Sequence, residues 1–211
     1  MKKVFMKYIL PVLGVIAVVF LDQLVKELCL DKIGMYNTVV LIEDVFELHV
    51  IPNYGMAWGM FQNKQWIFVV ITPVVLALAV WFYLKMPAEK KFTPMRVLTV
   101  LLAGGAIGNL LDRMFRGDFC QGYVVDMFYF KAIDFPVFNV ADSFICVSFA
   151  LLAILVIFKY SEEDFDRLFG LKKKAKAVDE DSVKEAKENI IEEVSEDAKE
   201  MVAVEETVSE E

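Results

Sequence analysis

Two aspartates stand in apolar company. Asp126 lies in Val124-Val125-Asp126-Met127-Phe128, and Asp142 follows Phe138-Asn139-Val140-Ala141 at the start of a long uncharged run. Between them, Asp134-Phe135-Pro136 is a turn signal that can return the chain toward Asp126. Carboxylates brought within a few ångströms cannot both ionise easily, so one keeps its proton. The ionised member can then activate a water while the other protonates a carbonyl oxygen. The alternative is two unrelated acids at an apolar boundary.

Three further constellations carry polar groups. Asp22 and Lys26 are spaced i, i+4 with the acid first, the favourable order for a helical ion pair; alone they read equally as a structural pair at a helix end. Residues 53–59 hold Asn53, Gly55 and Gly59, a composition for a turn with unusual backbone angles. Such a turn is either a plain hairpin or a presenter of amide groups to an extended peptide. Asn109, Asp112 and Arg113 share one face of an otherwise apolar helix, so they need a polar cavity or one another.

Other chemistries find little support. His49 is the single histidine, and Cys29, Cys120 and Cys146 are scattered without metal-ligand spacing, so no metal or other cofactor is expected. Ser143 is the one serine near the outer end of a span, and no lysine accompanies it. No Gly-rich phosphate loop occurs, and no basic stripe with interleaved aromatics marks a nucleic-acid surface.

The elements that must position these residues are membrane spans. The chain has 211 residues, 57% hydrophobic, with mean hydropathy +0.50, yet a net charge of −8. The two properties separate along the sequence. Residues 161–211 carry 18 acids and 8 bases, a balance of −10, leaving +2 for residues 1–160. A helix needs about 20 apolar residues to cross a bilayer. Stretches 4–21, 66–84, 97–111 and 140–158 meet or nearly meet this, and Gly104, Gly105 and Gly108 in the third suit close helix packing. The first stretch resembles a signal peptide, but no small-x-small cleavage site follows, so it is expected to be retained.

Bases near the span ends set the orientation. Lys2, Lys3 and Lys7, then Lys85, Lys90, Lys91 and Arg96, then Lys159, Arg167 and Lys172 to Lys174 predict cytoplasmic termini. Segments 22–65 and 112–139 then face outward. Within the first, 37–42 and 45–50 are β-branched runs that predict a small sheet on the outer membrane surface. The tail from 161 is predicted to be an acidic, partly helical or disordered cytoplasmic extension. Val183, Ala186, Ile190, Val194, Ala198 and Met201 form a narrow helical stripe in it.

Taken together, DQLVK (22–26), NYGMAWGMF (53–61), GGAIGNLLDR (104–113), VVDMF (124–128) and FPVFNVADS (135–143) resemble the lipoprotein signal peptidase, or signal peptidase II, family. The motifs occur in the family's order and with the four spans cover most of residues 5–160. The resemblance implies an all-α membrane protein with four transmembrane helices, a small extracytoplasmic β-sheet cradle about residues 36–61, and a peptidase domain over 1–160. It implies a monomeric aspartic endopeptidase of the bacterial cytoplasmic (inner) membrane that cuts prolipoproteins just before a diacylglyceryl-modified cysteine. The family's dyad falls on Asp126 and Asp142. Its site-shaping positions match Asn53, Gly55, Ala57, Asn109, Asp112, Arg113, Asn139 and Ala141, and its bracing positions match Asp22 and Lys26. Implied partners are prolipoprotein substrates, membrane lipids and globomycin-type inhibitors. The linker 114–125, with Cys120, is longer than is common in the family. The competing reading is a small proton-coupled transporter or assembly factor that uses the same carboxylates as a relay.

Overall fold

The computed structural model describes residues 5–55 and 60–169, with positions 184 and 187. The chain divides between Tyr160 and Ser161.

Four helices of the first part are long and apolar enough to cross a membrane. Helix α1 is Leu10–Lys32, preceded by a wide π-helical turn, Phe5–Ile9. Pro11 has no N–H for the ladder, so regular α geometry begins at it. Strands β1 (Thr38–Ile42) and β2 (Phe46–Asn53) follow, then α2 (Gln65–Lys85) and α3 (Thr93–Phe115). Strand β3 (Val124–Tyr129) precedes α4 (Val140–Phe158). At 23 residues each, α1 and α3 are about 35 Å long, enough for a hydrocarbon core of about 30 Å.

The first helix runs beyond the expected span 4–21. No breaker follows Asp22, and the helix ends only at Gly34, whose positive φ of 84° lets its N–H turn back to the Cys29 carbonyl at 3.1 Å. Asp22 and Lys26 are therefore inside α1, where both are fully buried, and not beyond its end.

Helix α3 is the most enclosed span and packs against both α1 and α4. Its glycines explain how closely. A β-carbon on Gly104 would lie 2.6 Å from Val18 Cβ, one on Gly105 2.6 Å from the Ala141 carbonyl oxygen, and one on Gly108 2.5 Å from Asp22 Oδ2. Small residues thus let three backbones approach at one level. Gly108→Ala is expected to push Asp22 off its partners at about 1–3 kcal/mol, the usual cost of overpacking. A detergent melt equal to that of the unmodified protein would count against this.

The strands form one antiparallel sheet in the order β1-β2-β3, and the third strand extends the two runs expected from the sequence. Val50, Val125 and Met127 are fully buried and pack with Cys29 near the end of α1. β1 is exposed along its length although it reads Thr-Val-Val-Leu-Ile. After β3 the chain turns through Asp134 in the left-handed region (φ 48°) and returns. Phe138 then exchanges backbone hydrogen bonds with Phe128 at 2.8 and 3.0 Å. This brings Asn139, at the start of α4, beside β3.

Helix α5 (Glu162–Phe169) opens the second part, with the Ser161 N–H and hydroxyl donating to Asp164 at 2.9 and 3.0 Å. The six stripe positions between 183 and 201 lie outside the described residues.

Candidate active site

The first turn of α4 is built by a reciprocal cap. Asn139 Oδ1 accepts from the Asp142 N–H at 2.9 Å, and Asp142 Oδ2 accepts from the Asn139 N–H at 3.1 Å. A third orphan donor of this helix end, the Ala141 N–H, is bound by Asp22 Oδ1 at 2.9 Å. The helix N-terminus is thus held by its own residues and by α1.

Asn139 also reaches the other aspartate. Its Nδ2 donates to Asp126 Oδ1 at 2.7 Å and to Asn109 Oδ1 at 3.1 Å. Asn53 Nδ2 donates to Asp126 Oδ2 at 2.9 Å. Asn109 Nδ2 donates to Asp142 Oδ1 at 2.7 Å. Each carboxylate oxygen of both aspartates therefore has one amide donor, and the two groups share Asn139. Asp126 is 2% exposed, whereas Asp142 is half-buried. Burial, with the charge of Asp142 beside it, pushes the Asp126 carboxyl up to about 7, against the hydrogen bonds from Asn53 and Asn139.

A second cluster lies behind the first. The ammonium of Lys26 uses all three N–H bonds: Asp22 Oδ2 at 2.8 Å, Asp112 Oδ2 at 2.8 Å and Asn109 Oδ1 at 3.0 Å. Asp112 faces this cluster and also accepts from Arg116 Nε at 2.8 Å and Gln23 Nε2 at 3.0 Å. The buried charges are therefore paired and hydrogen-bonded, as a low-dielectric site requires. Asn109 joins the clusters, since its oxygen receives Lys26 and its nitrogen serves Asp142.

Arg113 spans toward the turn after β2. Its Nη2 donates to the Gly55 carbonyl at 3.0 Å, its Nη1 to the Asn109 carbonyl at 3.2 Å, and its guanidinium lies 4.6 Å from the Phe68 ring centroid. The Gly55 N–H binds Asn53 Oδ1 at 2.8 Å, so the turn fixes the amide that contacts Asp126. The structure thus gathers Asp126, Asp142, Asn53, Gly55, Asn109, Arg113, Asn139 and Ala141 at one end of the bundle. Asp22, Lys26 and Asp112 stand behind them. Ala57 lies outside the described residues.

Two participants were not singled out from the sequence. Gln23 bridges Asp22, Asp112 and the Gly108 carbonyl. Arg116 ties Asp112 to Glu27 of α1, at 2.8 and 2.7 Å. Its i, i+4 spacing from Asp112 was the available signal. The linker containing Cys120 folds back on α3, with the Gly122 N–H donating to the Arg113 carbonyl at 3.0 Å.

Comparison with known proteins agrees in extent with this unit. The family described as signal peptidase (SPase) II matches residues 14–158. A lipoprotein signal peptidase of Lactococcus lactis subsp. cremoris (strain MG1363) is 37% identical over 152 residues, 72% of this chain and 96% of the relative. One from Caldanaerobacter subterraneus subsp. tengcongensis is 42% identical over 143 residues, 67% and 92% of the two chains. A bacterial membrane enzyme solved by the in meso method superposes with a TM-score of 0.62 at 28% identity, covering 74% of this chain and 93% of that one. A family match over more than half the sequence, and relatives spanned nearly end to end, establish that the chain belongs to the signal peptidase II family.

Proposed function

We propose that this protein is a membrane aspartic endopeptidase that removes the signal peptide from diacylglyceryl-modified prolipoproteins. It cuts on the N-terminal side of the lipidated cysteine. The observation that carries this reading is the pair Asp126 and Asp142, tied through Asn139 at one end of the bundle.

In the active form Asp126, the more deeply buried acid, carries the shared proton and Asp142 is its ionised partner. Asp142 takes a proton from water as the oxygen attacks the scissile carbonyl carbon, and Asp126 gives its proton to the carbonyl oxygen. The tetrahedral diol collapses when Asp142 passes its proton to the leaving amine and Asp126 recovers one from a hydroxyl. The C–N bond breaks, and the pair returns to its starting state. No cofactor takes part.

The same reading places the protein in the bacterial cytoplasmic membrane as a monomer with both termini cytoplasmic. The Asp pair then sits near the outer leaflet, where the lipid anchor holds the substrate, with the sheet as an outer cradle. The bases Lys85, Lys90, Lys91 and Arg96 at the opposite end support this orientation. Cleavage of a purified diacylglyceryl prolipoprotein, blocked by a globomycin-type peptide, tests it; an intact precursor after prolonged incubation with folded protein overturns it.

A pH dependence follows from the Asp126 carboxyl at about 7. Activity is expected to fall tenfold per pH unit above about 7, as the proton is lost. Stability follows the same sign. The folded carboxyl holds its proton where the unfolded one, at about 4, has lost it, so the fold weakens as pH rises from about 4 to 7. Asp126→Asn removes that slope. Melting curves of both proteins across this range check the sign, and parallel curves would overturn it.

A further inference from the structure

The end of the bundle opposite the Asp126–Asp142 pair is basic. α1 and α3 begin there, and α2 and α4 end there. Among the described residues of the first part, Lys7, Lys85, Lys90, Lys91, Arg96 and Lys159 lie at that end against one acid, Glu89. Between α1 and α3 runs a groove of about 640 Å³. Its walls are Leu10, Leu13, Val97 and Leu101, and Lys90 and Arg96 stand at its mouth. Its depth is set where Gly14 meets Val100, since a β-carbon on Gly14 would lie 2.9 Å from that side chain.

Arg96 is anchored, not free to swing away. Its Nη2 donates to the carbonyls of Met86 and Pro87, which fixes the guanidinium at the rim. Lys90 is exposed beside it. Below them, Arg96 to Leu101 gives about 7.5 Å of helix axis lined by aliphatic carbon. A second apolar furrow, between α1 and α2, shares Pro11, Tyr83 and Val100 with the first and carries Lys7.

We propose that this groove binds an anionic glycerophospholipid from the leaflet at that end, with its phosphate on Arg96 and Lys90 and one acyl chain along the α1–α3 wall. The charge pattern selects the occupant. A planar guanidinium and a neighbouring ammonium match a phosphodiester, and basic pockets between spanning helices suit acidic head groups. A zwitterionic lipid brings its own ammonium into this cationic rim. A peptide would carry unpaired backbone groups into an aliphatic groove.

The test uses the full chain in neutral detergent, offered equal amounts of phosphatidylglycerol and phosphatidylcholine with identical acyl chains. Native mass spectrometry reads the retained lipid. Phosphatidylglycerol is expected to dominate, and Lys90→Gln and Arg96→Gln are each expected to cut its excess about fivefold. Lys64→Gln, at the other end, is expected to leave the excess unchanged. Should Arg96→Gln fail to fold, Lys90→Gln decides alone, because its exposed side chain makes no hydrogen bond or ion pair among the described residues. Equal retention of the two lipids overturns the proposal. So does an excess that survives Lys90→Gln, or millimolar inorganic phosphate binding at the rim while lipid selectivity is unaffected by either change.

Discussion

Asp126→Asn and Asp142→Asn are each expected to lower cleavage of a diacylglyceryl prolipoprotein by about 10²–10⁴-fold, the range lost with a general acid or base. The folded protein should still insert. An asparagine keeps the size of the side chain and one carbonyl acceptor, so Asn53 or Asn139 retains a partner at position 126. Asp142→Asn exposes a difference between the sites. It also touches the cap of α4, so its melting point is expected to fall while that of Asp126→Asn does not. Activity and melting must therefore be measured together. Near-normal cleavage by either folded variant would remove that residue from the chemistry. Asp112→Asn is the control, because its carboxylate is occupied by Lys26, Arg116 and Gln23 and does not face the pair. Its losses should appear in stability first.

Lys26→Met is expected to cost about 3–5 kcal/mol, the penalty for leaving a buried charge without its partner. Asp22 and Asp112 both converge on this ammonium at 2.8 Å, and neither they nor Lys26 reach solvent. Arg116 remains for Asp112, but Asp22 keeps only Gln23 and the Ala141 N–H. The combination Asp22→Asn, Lys26→Met, Asp112→Asn should recover part of the loss, because no unpaired charge is left. Thermal melts in one detergent across these variants read the effect. A Lys26→Met protein as stable as its parent would show that the cluster bears no such penalty.

Much of this arrangement is legible in the sequence. Uninterrupted apolar runs mark the spans, because lipid tolerates few charges. Asp22 and Lys26, or Asn109, Asp112 and Arg113, announce themselves as polar residues on otherwise greasy helices. What the sequence hides is long-range. That Asn139 binds both Asp126 and Asp142 depends on the backbone pairing of Phe138 with Phe128, which no spacing encodes. A charge looks like a span's end, so the sequence alone stops the first span at Asp22, whereas Lys26 and Asp112 make that charge tolerable inside the bundle. In sequence β3 reads as a motif around an acid and not as a strand, since its alternation is masked by burial on both faces.

The amides at the start of α4 leave little room for change. Asn139 caps a helix, holds one aspartate by its side chain and the other by its backbone, and meets Asn109, which in turn receives the lysine. If an inhibitor occupies this end, as the proposed function implies, a substitution there that loosened its grip would at once fray a helix and misplace an acid. Resistance arising in the target itself is therefore expected to come from the exposed face of the sheet, on β1, where one contact can be lost without the rest.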